Sequence, residues 1–305
     1  MKTGIDPKID YAFKRVFGSE ENQNVLRHLL NAVLADSLPR PIRDVQVLNP
    51  FSLKDAMDDR LSILDIKARD EAGREYLIEM QLFLHASFPE RLLYYAARHY
   101  STQLAEGEDY TRLRPIVVIC FVNAVLFPQS PGYHGRYELM DGRQGVRFSD
   151  HLAIHVVEIP KFLRRLDELQ EDLERWTYFL RHGDELDGSS LPEPLAIPEI
   201  AQATGTLTML SLNDAERDLY EARLMLRRDE TARAAYVLNK GRIEGARMLL
   251  LYIGQQRFGE APQAIQDRLS SVASLEQVEF LTKRLLETHR WDDLFTDAEP
   301  TEGAR

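Results

Sequence analysis

The segment Leu61–Leu82 constrains the fold most, because it predicts two strands joined by a tight turn. Apolar and polar residues alternate on both sides of the turn, which is the period of a β-strand. The four residues 70–73, with the sequence DEAG, have turn composition, and Gly73 can adopt a positive φ. The segment therefore predicts a β-hairpin within a larger sheet.

The register of this hairpin follows from the length of its loop. A three-residue loop closed by Asp70 and Arg74 places Asp65 directly opposite Glu79. A two-residue loop would place Asp65 opposite Ile78 and would mix the polar and apolar faces, so we predict the three-residue loop. Directly opposed residues have Cβ atoms about 4.5–5.5 Å apart, so the two carboxylates are expected to be neighbours.

Two neighbouring carboxylates repel each other, and a divalent cation between them would offset that repulsion. Oxygen ligands of this kind suit Mg²⁺ or Mn²⁺. Gln81 lies diagonal to Asp65 on the same predicted face. The alternative is an ordinary solvated polar face with Lys67 nearby, because half-exposed hairpins commonly carry such faces. The pattern alone leaves both interpretations open.

Three segments of the chain carry a resemblance to a known family. An Asp, a hairpin turn and Glu-x-Gln on the next strand resemble the core of the PD-(D/E)xK nuclease superfamily. The string LDIKARDEAGREYLIEMQ is similar to the recombination-promoting nuclease and transposase family, in which Gln is usual at the last position. The preceding family segment is present at 6–18 and the following one at 90–121. The resemblance covers about the first half of the chain.

This resemblance implies an α/β fold with a restriction-endonuclease-like mixed central sheet, flanked by helices and followed by an all-helical C-terminal region. It also implies a Mg²⁺- or Mn²⁺-dependent DNA endonuclease. Asp65 and Glu79 would hold the metal, with the backbone carbonyl of Met80 as a third ligand. Gln81 stands where the superfamily commonly has Lys; it can hold a water by hydrogen bonding but cannot act as a base.

Further candidates lie outside the hairpin. Asp10 is a possible accessory acid, because first helices in this superfamily often carry an acidic residue near the metal; alternatively it forms an exposed ion pair with Lys14, one helical turn away. Scattered arginines are usually solvated surface, but four of them are candidates for phosphate contacts. They are Arg91, Arg98, Arg112 and Arg114.

Charge and cysteine content exclude several classes of protein. The 305-residue chain has 38 basic and 49 acidic residues, a formal charge of −11, which argues against a protein that coats nucleic acid electrostatically. A net charge of −11 remains compatible with an enzyme that contacts DNA locally. Cys120, the single cysteine, lies in an apolar run and is expected to be buried and reduced. The polar start and the lack of a long apolar run predict a cytoplasmic protein without a membrane span.

The sequence predicts that the chain is divided into several successive structural regions. Residues 184–200 are rich in Pro and are expected to form a linker. The part after residue 245 resembles a small helical domain often found after nucleases of this family, and we expect it to form a homo-oligomer. The predicted regions are a nuclease-like domain at 1–183, the linker at 184–200, a charged helical connector at 201–245, the small helical domain at 246–296 and a disordered tail at 297–305.

Two functions are compatible with these features. The first is a metal-dependent DNA endonuclease, linked to recombination or mobile elements. The alternative is a non-catalytic DNA-associated or assembly protein that keeps the nuclease fold. Metal binding without cleavage would favour the second, whereas the presence of Asp65, Glu79 and Gln81 together favours the first, since a decaying site has no reason to keep all three.

Overall fold

The structure is a computed structural model that describes residues 2–51, 65–83 and 87–296. The chain divides into two compact units, Met1–Leu224 and Met225–Arg305. The first unit contains a six-stranded mixed sheet with helices packed on it, and the second is helical. The α/β fold predicted from the sequence is therefore confirmed.

The sheet has the strand order β1-β2-β3-β4-β6-β5. Strands β3, β4 and β6 are parallel, and β1, β2 and β5 pair antiparallel with their neighbours. The strands are β1 Val45–Val47, β2 Ile66–Asp70, β3 Glu75–Gln81, β4 Ile116–Val122, β5 His134–Glu138 and β6 Leu152–Glu158.

The hairpin β2–β3 has the predicted register. Ile66 pairs with Ile78 and Lys67 with Leu77, which is the register of a three-residue loop closed by Asp70 and Arg74. Gly73 has a φ of 82°, a conformation that favours glycine. The predicted strand residues 61–64 lie outside the described residues.

Both faces of the sheet are covered, as a continuous apolar run such as that of β4 indicates. Every β4 residue is buried. Its alternate residues belong to two different apolar clusters, one on each face of the sheet. Cys120 is a free cysteine buried in one of these clusters. One layer contains α3 (Phe88–Ser101), which connects the parallel strands β3 and β4. The opposite layer contains α1 (Asp10–Phe17), α2 (Gln23–Val33), α4 (Asp172–His182) and α5 (Pro198–Leu212).

Two helices begin later than the sequence pattern indicates. Asp6-Pro7 predicts a helix start with Asp6 as the N-cap, but α1 begins at Asp10. The Asp6 carboxylate accepts from the N–H of Lys8 in a local turn, and the chain becomes helical only after Ile9. The spacing of apolar residues predicts an amphipathic helix from residue 161 to about residue 181, but α4 begins at Asp172. Residues 161–171 carry leucines at helical spacing, yet they form short turns before the start of the helix.

The predicted linker at 184–200 is anchored to the core by its apolar residues, although its polar residues include exposed ones. Leu186, Leu195 and Ile200 lie in the same apolar core as the sheet. Helix α5, which we had assigned to a charged connector, also buries Leu207 and Leu210 in that core. The first unit therefore extends to Leu224 and not to residue 183. Whether the parts fold independently stays a prediction.

The second unit has its own apolar cluster. It contains the later part of α6 (Asp214–Phe258), followed by α7 (Gln263–Ser271) and α8 (Leu275–Glu287). Trp291 packs at the edge of the cluster: its indole lies against Gly254, where any side chain would collide with the ring, and its N–H donates to the Gly259 carbonyl at 3.0 Å. The predicted disordered tail at 297–305 lies outside the described residues. None of the described helices is long and apolar enough to cross a membrane.

Candidate functional site

The predicted acidic pair lies where β3 ends and β2 begins. The carboxylate of Asp65 is fixed by the backbone, since its Oδ2 accepts from the N–H of Met80 at 2.8 Å. Asn49 fixes the backbone around it: its Oδ1 accepts from the Lys67 N–H at 2.5 Å, and its Nδ2 donates to the Asp65 carbonyl at 3.4 Å. Asp65 is therefore positioned from two sides by neighbouring chain segments.

Glu79 is buried, with 5% of its surface exposed. Its Oε1 atom has no hydrogen-bond partner within the part of the chain that the structure describes. Burial, and then the charge of Asp65, raises the pKa of Glu79 to about 7, against the opposing effect of Arg91 and Lys14. Burial also raises the pKa of Asp65, although Lys14 and the Met80 N–H oppose that shift. The pair is thus an electrostatically unfavourable arrangement without a further cation.

Lys14 supplies a positive charge from helix α1. Its Nζ lies 3.2 Å from Oδ1 of Asp65. The alternative that we considered from sequence, an exposed ion pair between Lys14 and Asp10, is wrong in its partner, because Lys14 reaches across to the hairpin. Asp10 lies near enough for its charge to raise the pKa of Asp65, and its buried Oδ1 has no partner among the described residues.

Gln81 is already engaged at both ends of its amide. Its Nε2 donates to the Phe83 carbonyl at 2.7 Å, and its Oε1 accepts from Nη2 of Arg91 at 2.8 Å. Arg91 also lies over the Phe88 ring, with the guanidinium carbon 5.3 Å from the ring centroid. Gln81 therefore holds a guanidinium close to the acidic pair, which sequence reasoning had not anticipated.

The other three candidate arginines do not join this site. Arg98 is exposed on α3. Arg112 pairs with Glu108, and with Arg114 it lines a cavity of about 360 Å³ at the opposite end of β3, around Glu75. Of the four predicted phosphate contacts, the structure brings only Arg91 to the carboxylates.

The sequence analysis missed Asn49 and the contact of Lys14 with Asp65, both of which shape the site. Asn49 follows β1, and nothing in the sequence pattern marks it as a residue of the site. The four-residue spacing of Asp10 and Lys14 on α1 was a usable signal for Lys14, since both side chains must then share one helix face. The sequence predicts that Asp10 and Lys14 share one face of α1, but it does not predict that this face meets the end of β2 at Asp65.

The chemistry of the site suits a divalent cation. Two carboxylates, one of them with a buried unpartnered oxygen, are hard oxygen ligands of the kind that Mg²⁺ and Mn²⁺ prefer. No group of three or more His, Cys, Asp or Glu side chains within 2–51, 65–83 and 87–296 converges closely enough to hold a metal. Asp10 thus does not complete a three-side-chain set with Asp65 and Glu79, and two side chains are what the described residues offer.

Comparison of the sequence with known protein families identifies one matching family. The family model described as PD-(D/E)XK nuclease family transposase matches residues 7–236, which is more than half of the chain. The match contains the acidic pair, Gln81, Lys14 and the whole sheet. No curated protein and no solved structure gave a significant match.

Proposed function

Because the chain belongs to the PD-(D/E)XK nuclease family transposases, we propose that it is a metal-dependent DNA endonuclease that hydrolyses phosphodiester bonds, with a role in recombination or mobile elements. The observation that carries the proposal is the buried pair of Asp65 and Glu79, with the unpartnered Oε1 of Glu79. A buried carboxylate without a partner is costly, and a bound cation is the ligand that would remove that cost.

The residues that would hold Mg²⁺ or Mn²⁺ are Asp65 and Glu79, with the Met80 carbonyl as a third ligand. When bound, such an ion polarises a phosphate oxygen and lowers the pKa of a coordinated water. The N–H of Met80 already donates to Asp65, so the same residue would position one ligand and supply another.

The chain's own cation Arg91 would bind the phosphodiester next to the carboxylates. A guanidinium presents planar, fixed donors that match phosphate geometry, and the bond to Gln81 holds this one in place. In this role Gln81 is a positioning residue that acts through Arg91. Its amide keeps one free N–H and one free lone pair, so it could also hold a water beside the metal, although it cannot act as a base.

The remaining arginines would contact DNA farther along its backbone. With a net charge of −11, the protein must bind DNA through local contacts and not through its overall field. Arg98 on α3, and Arg112 and Arg114 at the far end of β3, are the proposed contacts. Neutralising them should weaken binding to all DNA sequences similarly, because phosphate contacts carry no base information.

The alternative, a non-catalytic or assembly protein with this fold, is favoured by one observation on helix α6. Several of its large apolar side chains are more than half exposed, among them Tyr236, Val237, Met248 and Tyr252. Exposed apolar residues on a helix are typical of surfaces that associate. We propose that this helical region forms a homo-oligomer, which is compatible with nuclease activity.

A plasmid-nicking assay tests the proposed activity. We expect the purified protein to convert supercoiled plasmid to nicked or linear DNA with Mg²⁺ or Mn²⁺ and to be inactive in EDTA. Asp65→Asn should be inactive, and Glu71→Asn, which changes an exposed acid in the hairpin loop, should be as active as the wild type. Metal binding by the wild type without any cleavage would favour the non-catalytic alternative.

A further inference from the structure

Lys14 contacts an oxygen that the proposed metal would need. Its Nζ lies 3.2 Å from Oδ1 of Asp65, while Oδ2 of the same carboxylate is taken by the Met80 N–H. The Lys14 side chain is 22% exposed and that of Asp65 15%. The ammonium and a divalent cation would therefore compete for Oδ1, because two positive charges on one carboxylate oxygen repel each other strongly at low dielectric.

Helix α1 is held rigidly in the position that directs Lys14 at the hairpin. Phe13, Val16 and Phe17 are fully buried on the opposite layer of the sheet. The carbonyl of Lys14 accepts from the N–H of Gly18 at 2.7 Å, so the backbone of Lys14 is fixed by the end of the helix. Only the four-carbon side chain can move, and its length allows the ammonium to leave Asp65 without moving the helix.

The surroundings offer the displaced ammonium other partners. Asp10, one turn earlier on α1, has a buried Oδ1 with no partner among the described residues. A phosphate bound at the Asp65–Glu79 pair would also lie next to Lys14, because the ammonium already touches one of the two carboxylates. Arg91, the other cation that lowers the pKa of Glu79, is bonded to Gln81, whereas Lys14 is bonded to Asp65 itself, so a metal on Asp65 would displace Lys14.

From this geometry we infer that Lys14 is a placeholder cation: it neutralises Asp65 in the absence of metal, is displaced from Asp65 by the metal, and then binds a non-bridging oxygen of the phosphodiester. The inference rests on the proposed function. It assigns Lys14 opposite effects on two steps, since its charge weakens metal binding and strengthens binding of the phosphate in the cleavage step. A merely structural salt bridge would change both in the same direction.

Lys14→Met removes the charge and keeps the length of the side chain. In calorimetric titration without DNA, we expect Lys14→Met to bind Mn²⁺ about 10-fold more tightly than the wild type, because one competing charge is gone. In single-turnover cleavage at saturating Mn²⁺, the same variant should be about 100-fold slower, within the range of a lost phosphate-binding cation. Lys14→Arg keeps the charge and should stay within about 3-fold of the wild type in Mn²⁺ affinity.

Lys67→Met is the matched control, because it makes the same charge change two residues from Asp65 on strand β2. We expect it to change Mn²⁺ affinity less than Lys14→Met does. Unchanged or weaker Mn²⁺ binding in a folded Lys14→Met protein, together with normal binding by the wild type, would overturn the placeholder role alone. If Lys14→Met does not fold, Lys14→Gln, which also removes the charge, replaces it in the same titration: tighter Mn²⁺ binding supports the placeholder role, and unchanged or weaker binding overturns it. A wild type that neither binds Mn²⁺ nor cleaves would instead refute the proposed function.

Discussion

Strand β3 carries two buried glutamates on one face. They are equally buried but differ in their hydrogen-bond partners and in the charges around them. Glu75 and Glu79 are both 5% exposed. At Glu75, Oε1 accepts from Arg69 at 2.5 and 3.1 Å, and Oε2 lies 2.6 Å from Nε2 of His99. At Glu79, Oε1 has no partner in the described structure, and the nearest acid, Asp65, is a like charge.

The comparison teaches that burial by itself does not identify a functional acid. Glu75 is a satisfied structural residue that ties β2 and α3 to β3 through Arg69 and His99. Glu79 is left with an unfavourable charge, and folding gains nothing from it unless a ligand binds. The two residues lie four apart on one strand, so each provides a control for the other.

The largest expected difference between them is in catalysis. Glu79→Gln and Asp65→Asn should each slow single-turnover DNA cleavage by at least about 10³-fold, because a bound metal contributes several kcal/mol of charge stabilisation in the transition state. Glu75→Gln should retain most of the activity once folded. Equal losses for Glu75→Gln and Glu79→Gln would remove the distinction between the two ends of the strand.

The second difference is in stability, where the two substitutions should have opposite signs. Glu75→Gln weakens the three hydrogen bonds that Glu75 makes with Arg69 and His99 and should lower the free energy of unfolding by about 1.5–3 kcal/mol. Glu79→Gln removes a charge that is unfavourable in the folded state, and it should raise the free energy of unfolding by up to about 3 kcal/mol at pH 8. Urea unfolding in EDTA measures both, and a destabilising Glu79→Gln would count against our description of the site.

The pH dependence of the Glu79→Gln effect sharpens this prediction. Folding raises the pKa of Glu79 from its ordinary value to about 7, so the folded protein holds a proton there that the unfolded chain has released. The contribution of Glu79 to stability therefore falls as the pH rises from about 4.5 to 7. The stabilisation by Glu79→Gln should be largest above pH 7 and should disappear near pH 4.5. A constant difference across this range would mean that Glu79 is not the titrating group.

The smallest expected effect concerns Gln81, which lies at the same end of β3 as Glu79. Gln81→Ala frees Arg91 and should slow cleavage about 10-fold, similar to other partners that position an active-site group, with little change in Mn²⁺ affinity. Arg91→Ala should cost at least as much, and the double variant should be no slower than Arg91→Ala, because the two residues act as one unit. Additive losses would show that Gln81 has a role of its own.

The sequence predicted the parts of this molecule that local patterns determine. The alternation around Gly73 determined the hairpin register, and with it the neighbourhood of Asp65 and Glu79. It did not predict the contact of Lys14 with Asp65, which depends on how a helix packs beside a strand far along the chain. Nor did it predict that both ends of the Gln81 amide would be occupied.

Helix boundaries show the same limit. Residues 161–171 have leucines at helical spacing, but the Glu174 carboxylate accepts from the N–H groups of Gln170 and Glu171, and this cap sets the start of α4. The prolines, the glycine and the serines in 184–200 are typical of a linker, yet burial of Leu186 and Leu195 in the core outweighs that composition. A capping interaction overrode the helical spacing at 161–171, and burial in the core overrode the linker composition at 184–200.

Calorimetric titration with Mn²⁺ of the wild type, Glu79→Gln and Glu75→Gln tests the central claim most directly. The account predicts that the wild type and Glu75→Gln bind one site with similar affinity, and that Glu79→Gln loses at least about 100-fold, more than the loss of an outer-shell partner typically costs. Circular dichroism should show that all three are folded. Unchanged Mn²⁺ affinity in a folded Glu79→Gln protein would contradict the account, because the unpartnered oxygen of Glu79 would then have no part in holding a metal.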